Sequence, residues 1–149
     1  MIDAIRALAQ AQVRFLVIGG QAMRLAGLPR TTMDWDLFIP PHDEANIAKI
    51  NTTLDAELDM PVLPLGPRGE NFVQTYQLQW GMLQFHLVVP GIRRYEEAEK
   101  TAVEITQSGI TVKRLSGPLL LATKLACNRP SDEVDIKFLR ELEKVGKLV

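Results

Sequence analysis

The chain has 149 residues, 46% of them apolar and 23% charged, with a formal net charge of -1. That size and mix fit one folded domain over residues 1–149 and exclude a disordered chain. The near-neutral balance removes the electrostatic case for standing, sequence-independent nucleic-acid binding, although a nucleic-acid substrate held during a reaction is compatible with it.

Cys127 is the one cysteine, so no intrachain disulfide forms. It ends the apolar stretch LLLATKLAC and is expected to be a buried, inert thiol. The opening MIDAIRALAQAQ carries an acid and a helical pattern instead of a basic segment followed by an apolar run. No apolar run approaches the ~18 residues of a membrane span, so no membrane partner is expected and the cytoplasm is the expected compartment.

In chain order, Ile2, Ile5 and Leu8, with Ala9 beside them, predict an amphipathic opening helix. The continuous apolar run Phe15–Ile18 then ends in Gly19 and Gly20, as a buried strand of an α/β sheet does. QAMRLAG reads as a short helix capped at Gly27, with Pro29 blocking continuation. DWDLFIP reads as a strand closed by Pro40 and Pro41. A helix is expected over DEANIAKINTTLDAEL, from Ile47, Ile50, Leu54 and Leu58, followed by a Pro- and Gly-rich loop over MPVLPLGPRGEN.

FVQTYQLQ and MLQFHLVV predict two strands with Trp80 and Gly81 at the turn. RRYEEAEK reads as a solvated helix face with i,i+4 charge pairing. AVEIT–QSG–ITVKRL predicts a second hairpin, and GPLLLATKLAC and IKFLRELEKV a C-terminal helical pair. The second of these helices is expected to start at Ser131 or Asp132. Helices and strands interleave without a strict βαβ rhythm, which predicts an α/β (α+β) fold with a mixed central sheet flanked by helices.

Period-two alternation in DWDLF places Asp34 and Asp36 on one face and Trp35 and Leu37 on the other. Two carboxylates so close repel and resist burial. A divalent cation is the simplest compensation, and Mg²⁺ completes such a site with water and phosphate oxygens. Phosphoryl or nucleotidyl transfer is the chemistry that uses it. The plain alternative is that both aspartates face solvent. The glycines Gly19 and Gly20 at a helix start suit phosphate, because bare N–H groups point outward and no side chain intervenes.

Gly19, Gly20, Ala22 and Gly27, followed by RTTMDWDL from Arg30 to Leu37, resemble the polymerase β-like nucleotidyltransferase superfamily. The chain looks closest to small prokaryotic minimal nucleotidyltransferases and their toxin–antitoxin and abortive-infection relatives. In the tail, Lys124, Arg129, Asp132 and Asp135 echo a K…R…D…D pattern common in those proteins. The resemblance implies that Gly19 and Gly20 hold the triphosphate of an NTP and that Asp34 and Asp36 bind Mg²⁺ or Mn²⁺. It also implies transfer of a nucleoside monophosphate to a hydroxyl of a protein, RNA or small molecule.

One departure stands out. Such proteins carry a third carboxylate on a neighbouring strand, and His86 of LQFHLVV occupies that place here. Three readings stay open: His86 is a base or replacement ligand, it marks an interaction module that has lost its chemistry, or the acceptor chemistry differs. Alternation puts Gln84, His86 and Val88 on the cleft face and Phe85, Leu87 and Val89 in the core. Arg30 is expected to meet a phosphate or to pair with Asp34 or Asp36, and Thr32 to donate to phosphate or open the strand. Lys124 reads as a phosphate contact or a snorkelling lysine. Arg129, Asp132 and Asp135 read as an ion-pair and capping group. His42 is assigned no role.

Overall fold

In the computed structural model, which describes residues 2–149, helix α1 (Asp3–Gln10) buries Ala4, Ile5 and Leu8. Strand β1 (Leu16–Ile18) follows and is buried at all three positions. Helix α2 (Gly19–Leu25), strand β2 (Trp35–Phe38) and helix α3 (Glu44–Thr53) come next. The hairpin β3 (Val73–Leu78) and β4 (Gly81–His86) precedes α4 (Tyr95–Lys100). A second hairpin, β5 (Val103–Gln107) and β6 (Ile110–Arg114), leads to α5 (Gly117–Cys127), a 3₁₀ turn at Pro130–Asp132 and α6 (Glu133–Lys144).

The six strands form one mixed sheet in the order β3-β4-β2-β1-β6-β5. β1 runs antiparallel to β2 and parallel to β6, and β2 runs parallel to β4. Each hairpin closes one edge. A strand flanked on both sides and covered on both faces must be apolar throughout, which is why Leu16, Val17 and Ile18 carry no polar alternation. β2 and β4 do alternate: Trp35, Leu37, Leu83 and Phe85 are buried, while Asp36, Gln84 and His86 are half-buried. The core runs continuously from α1 across the sheet to Leu120 and Leu139 of the C-terminal helices.

α3 ends at Thr53, short of the expected Leu58. Two β-branched threonines close it, and both disfavour helix. The Asn51 side chain donates to the Val62 carbonyl at 3.0 Å and accepts from its N–H at 2.7 Å, tying the helix end to the following loop. Leu54 is still fully buried, but from a turn. α6 starts where expected, with Asp132 in the N-cap position, but without the expected side-chain cap. Asp132 lies in the 3₁₀ turn, and its carboxylate accepts from Arg129 N–H instead of capping α6. Cys127, expected to be buried, is only partly so: it is the last residue of α5, where Asn128 turns left-handed at φ 47°. No helix among the described residues is long and apolar enough to cross a membrane.

Candidate active site

Asp36 lies opposite Ile18 on β1 and opposite Gln84 on β4. Ile18 is the last residue before Gly19, so the sheet register itself carries Asp36 to the glycine turn. Asp34 stands one residue ahead of β2, which starts at Trp35 and not at the aspartate. Its Oδ1 accepts the Met82 N–H at 2.9 Å, and its own N–H donates to Thr32 Oγ1 at 3.2 Å. Asp34 is exposed and Asp36 half-buried, so the pair occupies an open shelf of the sheet.

Each aspartate leans on a glycine. A Cβ at Gly19, where φ is +65°, would stand 2.6 Å from Asp36 Oδ2. A Cβ at Gly81 would stand 3.0 Å from Asp34 Oδ1 and 2.9 Å from the Met33 carbonyl. The carboxylates occupy space that any side chain at those two positions would take. Gly81 was legible as a turn residue, but its place behind Asp34 follows from the β2–β4 pairing and has no local sequence signal.

His86 lies opposite Phe38 and reaches back along the sheet, with Nε2 2.9 Å from Asp36 Oδ1. The side chain therefore shares the face of Asp36, as alternation predicts, while Asp34, outside the strand, turns its carboxylate to the β4 backbone. Gly20 is the second residue of α2, whose N-terminus has no side-chain cap. A Cβ there would meet Thr32 Cγ2 at 3.5 Å and Arg30 Cδ at 3.9 Å, so Thr32 and the Arg30 stem line the glycine turn.

The Arg30 guanidinium does not pair with Asp34 or Asp36. It binds both oxygens of Asp135, at 2.9 and 2.8 Å. Lys124 is neither solvated nor snorkelling. It is buried, with Nζ 3.2 Å from Asp132 and 2.9 Å from Asp135, both of which are also buried. Two buried carboxylates need a cation between them, and the α5 lysine meets that need. Arg129 closes the cluster on Asp132 at 3.1 Å. Burial pushes the Asp132 carboxyl up, but hydrogen bonds from Arg129 and Lys124 outweigh it and hold it below the usual carboxylate range. The Arg129 guanidinium is raised chiefly by its hydrogen bond to Asp132, with a smaller contribution from the charge of Asp36.

The residues fit a hard divalent cation. Asp34 and Asp36 each have one oxygen held by a donor, Met82 N–H or His86, which leaves the other for a cation. No three His, Cys, Asp or Glu side chains converge into a metal cage among the described residues. The rest of the shell would come from water and phosphate, which is how Mg²⁺ is usually held. A cavity of about 630 Å³ between Arg14, Phe38, His42 and Tyr95 does not include the aspartates.

No protein-family model matches the sequence, and neither does any curated protein. Solved structures do match. A Thermotoga maritima protein assigned to the nucleotidyltransferases aligns over 97% of this chain and 96% of its own, at 13% identity and TM-score 0.58. The enzyme ANT(2")-Ia in complex with adenylyl-2"-tobramycin aligns over 97% and 90%, at 17% identity and TM-score 0.56. An antigenic nucleotidyltransferase-like protein from Paracoccidioides brasiliensis aligns over 93% and 73%, at 18% identity and TM-score 0.54. The chain has the nucleotidyltransferase fold.

Proposed function

We propose that this chain transfers a nucleoside monophosphate from an NTP to a hydroxyl group, using Mg²⁺ or Mn²⁺ held by Asp34 and Asp36. The observation that carries the reading is the pair itself. Two carboxylates two residues apart each have one oxygen fixed and one free, and Asp36 stands against Gly19 at the start of α2 in a nucleotidyltransferase fold. Gly19 and Gly20 receive the phosphates, with Thr32 and the Arg30 stem beside them. When bound, the divalent ion stabilises charge on the phosphate oxygens. The acceptor oxygen bonds to the α-phosphorus, the bond from that phosphorus to the β-phosphate breaks, and pyrophosphate leaves as the hydroxyl proton passes to solvent. Lys124 is not assigned to phosphate, because it already neutralises Asp132 and Asp135.

The acceptor is a hydroxyl of a protein, an RNA or a small molecule. The adenylyl-tobramycin complex of ANT(2")-Ia supports the small-molecule case. The test is incubation of the purified protein with α-labelled NTPs, Mn²⁺ and a cell lysate. We expect label on an acceptor together with pyrophosphate release, and loss of both in Asp36→Asn. NTP binding without transfer would instead support a second reading, a nucleotide-binding or toxin–antitoxin interaction module. His86 in the place of a third carboxylate is the feature that favours that alternative.

A further inference from the structure

We propose that His86 is a positioning residue: its Nε2–H fixes Asp36 for one divalent cation. The proposal rests on the reading of Asp34 and Asp36 as the metal-holding pair.

An ionised carboxylate accepts hydrogen bonds and donates none. The 2.9 Å contact between Asp36 Oδ1 and His86 Nε2 therefore requires the hydrogen on Nε2. That nitrogen is then committed to Asp36, as a donor that holds the carboxylate in place. Both groups are partly shielded, with side-chain exposures of 20% for His86 and 25% for Asp36, so the bond competes with little water.

The second argument is the parallel with Asp34. Strand β4 supplies a donor to each aspartate: the Met82 backbone N–H to Asp34 and the His86 side chain to Asp36. Asp36 lies opposite Gln84, and His86, opposite Phe38, spans the diagonal to reach it. Donors that orient ligating groups in this way change metal affinity by about 10–100-fold when removed. The third argument is charge. With no third carboxylate in that place, the two aspartates balance one divalent ion.

Mn²⁺ titration of the whole chain without nucleotide, followed by electron paramagnetic resonance of the free ion, tests this. Wild type is expected to bind one ion per chain. His86→Ala is expected to weaken that binding by about 10–100-fold. His86→Gln is expected to restore most of it, because the glutamine Nε2 can donate from a similar place. Equal weakening in His86→Gln and His86→Ala, or no weakening in His86→Ala, would overturn the proposal. Binding that is lost in Asp36→Asn yet unmoved in His86→Ala would overturn the positioning role alone. No binding by wild type would overturn the metal pair along with it.

A second measurement needs no variant. The chain has two histidines, so the imidazole ¹⁵N signals of His86 are readily separated from those of His42. Nε2 is expected to stay protonated when Mg²⁺ is added. Loss of that proton on adding Mg²⁺ would remove the donor to Asp36 and end the proposal.

Discussion

Asp36 Oδ2 sits 2.6 Å from the place where a Gly19 Cβ would be, so the carboxylate and the missing side chain share one volume. Gly19 also has φ +65°, a conformation that costs an ordinary L-residue roughly 1–2 kcal/mol. The two glycines of the turn therefore have different jobs. Gly19→Ala should cost about 2 kcal/mol or more from strain and overlap, and should push Asp36 aside. Gly20→Ala places its Cβ at ordinary contact distances inside a helix, where alanine is favoured by up to about 1 kcal/mol. Its stability should hold or rise while nucleotide binding weakens. Denaturant unfolding and nucleotide titration of both variants check this.

Asp34→Asn and Asp36→Asn keep an oxygen that can accept from Met82 N–H and from His86. Both should fold with stability unchanged or slightly raised, because a like-charge pair is relieved. Both should lose most Mn²⁺ binding. A fall in stability of several kcal/mol at pH 7 would instead make the aspartates structural.

Lys124→Met leaves Asp132 and Asp135 buried with one arginine each. Removing one partner from a buried charge cluster costs about 3–5 kcal/mol. Arg129→Ala should cost about 1 kcal/mol or less, since its side chain is 62% exposed and water replaces it. Thermal melts of the two variants give the order directly.

Arg14 binds Asp43 at 3.0 Å and Glu99 at 2.9 Å and lies over the Tyr95 ring, 5.2 Å from its centre. The Asn46 N–H, followed by Arg14, holds the Asp43 carboxyl below its usual range. Arg14 does the same for Glu99, against the effect of burial. Carboxyls depressed in the folded state contribute stability that is present above their unfolded values near 4 and lost as pH falls through the folded ones. Stability should therefore drop below about pH 4, and Arg14→Met should flatten that drop. The same variant should cost about 1–2 kcal/mol at pH 7. Urea unfolding at pH 7 and across the acid range measures both.

Much of this protein was readable from local sequence alone. The expected strands and helices were found in chain order, because side-chain period and glycine or proline punctuation act within a few residues. Asp36 could be placed opposite in face to Trp35 and Leu37, and His86 opposite in face to Phe85, because alternation along a strand is a local rule. Gly19 could be marked as a turn for the same reason.

Tertiary structure decided who partners whom. Arg30 and Asp135 are 105 residues apart, and nothing in either segment prefers that pairing to one between Arg30 and Asp36. Lys124 looks like any lysine of an apolar helix until α6 packs on α5 and buries two carboxylates beside it. His86 meets Asp36 only because β4 lies next to β2 in a particular register, and Gly81 backs Asp34 for the same reason. Local propensity fixes which face a side chain takes. The charge or hydrogen-bond partner it finds there depends on long-range packing, which brings many polar groups within reach and leaves buried only those that are paired.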